Sequence, residues 1–221
     1  SGASSKFNNE SKSIALACGS HSGSKLHSRE AFKILWEYDI DINNLKCPKS
    51  KTSPLEHNCS GKHAAFLATC KKMNWPLDSY LKGDHPLQIE IFRIVSELLE
   101  IPSSEINAER DDCGAPTLYL KLLEMSRLYS LLSSSENAEL EQISRAMTIN
   151  PIMISDNNKF DTEIIKASHG NVIGKGGAEG IQCLCKVNEG IGLALKVEDG
   201  SKRAKHAVSL HLLKQLEWIS D

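Results

Sequence analysis

Residues 181–197 run Ile181-Gln182-Cys183-Leu184-Cys185-Lys186-Val187-Asn188-Glu189-Gly190-Ile191-Gly192-Leu193-Ala194-Leu195-Lys196-Val197, and their reading decides the fold class. Ile181, Cys183, Cys185 and Val187 alternate with Gln182, Leu184 and Lys186. After Asn188-Glu189-Gly190 the alternation resumes with Ile191, Leu193, Leu195 and Val197. A period of two predicts a β-hairpin with a three-residue, glycine-containing connection. The spacing of Cys183 and Cys185 puts both on one strand face, where core packing accounts for them better than redox chemistry does.

Outward from the hairpin the period changes to 3.6. Glu198-Asp199-Gly200 turns into a helix expected from Ser201 to Trp218. Upstream, Ala31, Ile34, Leu35 and Tyr38 recur at helical spacing behind Ser28 as cap, and further helices are expected from Ala64, over Leu87–Leu99, and along Leu118, Leu120, Leu122, Leu123 and Leu128. Ser133–Asn137 reads as an exposed connection between helices. Ile14-Ala15-Leu16-Ala17-Cys18 is a short apolar run stopped by Gly19, and it is expected to be a buried strand. A strand, many helices, then a hairpin and a helix make an α+β chain with helices packed on an antiparallel sheet, residues 1–221 forming one domain. A sheet of only these strands has an open edge that must be paired or covered.

Composition narrows the function. The 221 residues carry 26 Lys and Arg against 28 Asp and Glu, a formal charge of −2, so a general nucleic-acid-binding role is not expected. No apolar stretch approaches the roughly 18 residues of a membrane span. Seven cysteines, at 18, 47, 59, 70, 113, 183 and 185, are an odd number, read as thiols of a reducing compartment, and the expected location is the cytoplasm. The chain opens on Ser1 with a polar lead, so it is expected to begin partway into something longer.

Three loops could carry chemistry. Ser20-His21-Ser22-Gly23 sets two hydroxyls around an imidazole, a nucleophile and a proton carrier, although these are also common turn residues. In Cys59-Ser60-Gly61-Lys62-His63, at the start of a helix capped by Asn58 or Ser60, Cys59 and Lys62 are three apart and share a face. A thiolate is a good zinc ligand, and an amine becomes one only when neutral; the alternative is a small buried Cys beside a solvated Lys. Gly174-Lys175-Gly176-Gly177-Ala178-Glu179-Gly180 surrounds one lysine with glycines, as a low-pKa base, a carboxylate anchor or an exposed turn. The order of a phosphate-binding loop is absent.

Ala17-Cys18-Gly19-Ser20-His21-Ser22-Gly23, His57-Asn58-Cys59-Ser60-Gly61-Lys62-His63-Ala64, His85-Pro86-Leu87-Gln88, Asp112-Cys113-Gly114-Ala115-Pro116-Thr117, Phe160-Asp161-Thr162 and Lys175-Gly176-Gly177-Ala178-Glu179-Gly180 occur in one order, and Leu195-Lys196-Val197-Glu198-Asp199-Gly200 follows. In these motifs the chain resembles the rhizobial-type L-asparaginase II family over nearly its whole length. The resemblance implies a fold like that of serine β-lactamases and penicillin-binding proteins. It also implies hydrolysis of L-asparagine to L-aspartate and ammonia by a serine/lysine mechanism, with L-asparagine as the small-molecule substrate. Position by position, it implies Ser20 as a catalytic serine, Lys175 as the lysine near substrate, His63 as a substrate-binding residue, and Cys59, Lys62 and Cys113 as ligands of a zinc ion with water as the fourth. A homodimer is expected to cover the open edge.

There are departures. Asp112 stands where the family usually has Gly, a change tolerated at a site of positive φ, and Lys159 stands where Arg is usual. Two strands and a Ser-x-x-Lys nucleophile motif of the family precede the point matched by Ser1-Gly2-Ala3, so the N-terminal strands are expected to be missing. The alternative function is therefore a catalytically inactive zinc-binding or interaction module that has lost that nucleophile.

Overall fold

The computed structural model describes residues 11–50 and 52–220; the expectations for the polar lead and for the match at Ser1-Gly2-Ala3 lie outside the described residues. The first element is a helix, α1 (Ser11–Ala17), where a strand was expected. Five apolar residues are too few to separate a strand from a buried helical segment, and Ile14, Ala15 and Leu16 are buried as a helix side instead. The chain divides into two compact units, one of residues 16–119 and one joining 11–15 to 120–220.

In the 16–119 unit, α2 (Lys25–Glu37) starts one turn before the Ser28 expected as its cap. Ser24 is the N-cap and closes a box with His27, while Ala31, Ile34 and Leu35 form the buried side. Short 3-10 turns at Ile42–Asn44 and Pro54–Glu56 punctuate the following loop. Next comes α3 (Ser60–Met73), whose N-cap is Cys59, not Asn58 or Ser60. The helix expected at Leu87–Leu99 is present as α4 (Pro86–Leu99), with Pro86 at its first position and the His85 side chain accepting from Leu87 N. Sequence reasoning missed the hairpin of β1 (Ala108–Arg110) and β2 (Pro116–Leu118), paired antiparallel around the Asp111–Ala115 loop. Leu118 therefore belongs to a strand and not to the helix that follows.

The other unit begins that helix, α5 (Leu122–Ser133), continues through α6 (Ala138–Ile149), capped by Asn137, and α7 (Pro151–Ile154), and reaches α8 (Phe160–Ala167). Its sheet has the order β3 (Val172–Gly176), β4 (Ile181–Lys186), β5 (Ile191–Lys196), all antiparallel. The expected hairpin is thus present, with a four-residue connection, because Lys186 pairs with Ile191 and Val187 N donates to Asn171 O. Glycine-rich β3 was not read as a strand. The last helix, α9 (Lys202–Gln215), starts after Ser201 as expected.

Helices cover both faces of this sheet. Ile164 of α8 and Leu213 of α9 join Val172, Leu184 and Trp218 in one core, with Phe160, Leu193 and Ile219 against it. On the opposite face α5 lies along β5 and β4, over Gly192. Leu184, Cys183 and Cys185 are consequently all buried, and the alternation marks two covered faces rather than one. The α+β class with helices on an antiparallel sheet is what these elements show. Among the described residues no helix is long and apolar enough to cross a membrane.

Candidate metal centre

Two of the motifs meet within the 16–119 unit. His21 N donates to Asn58 O (3.2 Å), and Gly23, at φ +67, lies so close to Glu56 that an added Cβ would fall 1.9 Å from its carbonyl oxygen. Only glycine fits that turn. The His21 ring is fully engaged: Gly23 N donates to Nδ1 (3.1 Å), and Nε2 lies 3.3 Å from Ser60 Oγ, which itself donates to Leu55 O at 2.8 Å. Since the Ser60 proton goes to Leu55, His21 carries its own on Nε2. Buried, and stacked on His27 with centroids 4.6 Å apart, it is a structural pin and not the mobile proton carrier that Ser20-His21-Ser22 suggested. Ser20 and Ser22 are exposed on the same loop.

The second motif carries the cluster. Cys59 caps α3, and Lys62 follows one turn later on the same side. The β1–β2 loop delivers Cys113, 2% exposed, against them: its thiol is hydrogen-bonded to Cys59 and in hydrogen-bonding contact with Lys62. That loop is shaped by Asp111, whose Oδ1 accepts from Cys113 N at 2.8 Å, while its Oδ2 lies 3.4 Å from Lys62 Nζ. The left-handed position of the loop is Gly114 (φ +84); Asp112 takes no positive φ, so the conformational reason expected for that departure does not apply. The Asp111-x-Cys113 spacing of an Asx turn was the available signal for Asp111, and sequence reasoning passed over it.

Charge and burial compete around these atoms. The bond to Cys59 and then burial drive the Cys113 thiol well above the ordinary range, His63 and Lys62 acting against this. Burial works to lower the pKa of Lys62, but Cys113, Cys59 and Asp111 together raise it, so without a metal the group is an ammonium. Cys47 also lies within reach of Cys113 and Lys62, and burial is the main reason that its thiol is pushed up to about 11.

His63 is buried beneath the cluster. Its Nδ1 is 2.7 Å from Tyr80 Oη, and its Nε2 has no hydrogen-bond partner of ordinary geometry, although the ring is close enough to Cys113 to lower that thiol's pKa. Tyr80 was not singled out in the sequence. Lys175 belongs to the other unit, where it lies on β3 with Nζ bonded to Gly176 O.

The arrangement can hold a soft or borderline cation. Two sulfurs and one amine converge, and His63 Nε2 lies behind them against Cys113, where its N–H favours the thiolate. Among the described residues no group of three or more His, Cys, Asp or Glu is arranged to hold a metal ion; this cluster counts two such side chains, and its third donor is a lysine. None of the seven cysteines is in a disulfide. No curated protein matches the chain. The sequence model of the family described as L-asparaginase II matches residues 1–221, the entire chain, and the protein belongs to that family.

Proposed function

We propose that the protein hydrolyses the side-chain amide of L-asparagine, water entering as aspartate and ammonia leave, with zinc held by Cys59, Lys62 and Cys113. The observation that carries this reading is the meeting of those two thiols and that amine in a chain of the L-asparaginase II family. The donor set suits zinc, and three protein ligands leave a position open for water or substrate. When bound, the ion supplies Lewis acidity toward an amide carbonyl or a water. The chain's own residues would prepare the site by losing protons: both thiols must ionise and Lys62 must become a neutral amine, so metal uptake strengthens as pH rises.

Asp111, which holds Lys62 and Cys113 in place, keeps the ligands oriented from outside the cluster. Ser20, exposed on the loop joined to the metal motif through His21 and Asn58, would move a proton during amide cleavage. His63 is buried, so the substrate contact implied for it would pass through Nε2. Lys175 would orient substrate. The fold that goes with this reading is like that of serine β-lactamases and penicillin-binding proteins.

Two measurements test the reading. The purified chain should bind one equivalent of zinc, and a Cys59→Ala/Cys113→Ala variant should bind none; equal binding by both removes the metal centre. Ammonia release from L-asparagine tests the hydrolysis, and zinc uptake without any turnover would favour an inactive binding module instead.

A further inference from the structure

Phe160-Asp161-Thr162 takes no part in the thiol cluster, yet Asp161 is one of the few buried charges of its unit, at 9% exposure. In the sheet, Gly176 pairs with Gln182, and the next bond runs from Gly177 N to Ile181 O. Antiparallel bonding alternates, so the Gly176 amide is turned away from β4 toward the open side of β3. Asp161 of α8 meets it there, with Gly176 N donating to Oδ2 at 2.8 Å. The other carboxylate oxygen accepts from Gln182 Nε2 at 2.9 Å.

Gln182 reaches across the strand beside Gly176, the neighbour of Lys175 where a side chain would crowd it. A Cβ on Gly174 would lie in ordinary contact, 3.6 Å from Gln182 Nε2 and 3.7 Å from Asp161 Oδ1. One on Gly176 would lie 2.9 Å from Lys205 Nζ, 3.2 Å from Gln182 Oε1 and 3.4 Å from Asp161 Oδ2. Lys205, buried on α9, donates to Gly177 O and brings a positive charge toward the carboxylate. By strand alternation these groups occupy the face opposite Lys175, which shares its face with Cys183.

We propose that Asp161 is a positioning residue, gripping the Gly176 amide and Gln182 so that β3 presents Lys175 in one fixed place, with Lys205 balancing its charge. The glycine at 176 is then part of the device. The inference rests on Lys175 acting on substrate, which Lys175→Ala tests separately.

Residue-resolved amide exchange on the full chain reads the grip without reference to catalysis. In Asp161→Ala the Gly176 amide should exchange about ten- to a hundredfold faster, the loss expected for a bond to a charged acceptor. The amides of Ile173 and Lys175 should stay protected. Asp161→Asn keeps an acceptor for Gly176 and lets Gln182 turn its amide to match, so it should restore most of the protection. Unchanged Gly176 exchange in Asp161→Ala, or loss of protection through the whole sheet, overturns the proposal.

On L-asparagine, Asp161→Ala should lower kcat/KM by about ten- to a hundredfold, as misplacement of a reacting group does, and should cost nothing more when added to Lys175→Ala. Losses that multiply in the double variant overturn the positioning role. If Lys175→Ala alone keeps full turnover, the role falls with the reading of Lys175, while Gly176 exchange still decides whether the grip exists. If the parent chain shows no turnover, the hydrolytic reading fails and the exchange measurement decides the grip by itself.

Discussion

Tyr80 joins the site to its scaffold. Lys46 N donates to its hydroxyl oxygen at 2.9 Å, and the hydroxyl proton is left for His63 Nδ1 at 2.7 Å, which fixes the remaining imidazole proton on Nε2. The ring is fully buried, and burial drives its phenol far above the ordinary range, so the hydroxyl stays protonated. Tyr80→Phe leaves the Lys46 amide and His63 Nδ1 buried without this partner; unfolding in urea should show a loss of about 1–3 kcal/mol, and an unchanged midpoint would contradict the bridge. This residue also marks what the sequence withheld. Cys59, Lys62 and Cys113 were legible as a set through the family resemblance of their motifs, since the spacing of Cys59 and Lys62 alone also left open a buried thiol beside a solvated lysine. Tyr80, by contrast, acts on a histidine 17 positions away through an ordinary hydroxyl, and nothing local announces such a partner.

Among elements, those with a long period were legible and those without were not. The hairpin, α4 and α9 declare themselves by alternation or by caps such as Ser201, whose hydroxyl accepts from Ala204 N. β3 is hidden because two of its five residues are glycine and a third glycine follows, and α1 because a five-residue apolar run suits either state. The packing of α5 on the sheet was hidden as well, although one residue encodes it. A Cβ on Gly192 of β5 would fall 2.0 Å from Ser126 O and 2.4 Å from Ser130 N, both backbone atoms of α5. Neither can move without displacing the helix, so overpacking at this point exceeds the usual range. Gly192→Ala should cost at least about 3 kcal/mol or prevent folding, and thermal melting near that of the parent would show that α5 is not held this close.

At the scale of the whole molecule, the cysteines give each unit the same pH response. Cys47 and Cys70 are buried in the 16–119 unit, Cys183 and Cys185 in the other. Burial pushes the first three thiols up to about 11 and Cys185 to about 12, from an ordinary value of 9.0. Below about pH 8 both the folded and the unfolded chain keep these protons, and the thiols add no pH dependence. As pH rises past 9 the unfolded chain releases them, while the folded chain holds them until about 11 to 12. The unfolded state then binds fewer protons, so stability falls with rising pH across that window and levels off only above it. Urea midpoints measured under reducing conditions should accordingly decline from about pH 8 to about pH 10.5. Lysine ion pairs also weaken there, and a Cys183→Ala/Cys185→Ala variant separates the two causes. That variant will be less stable than the parent at neutral pH, from the cavities it opens, yet its midpoint should fall less steeply. A decline as steep as the parent's would mean that these thiols ionise in the folded chain as readily as in the unfolded one.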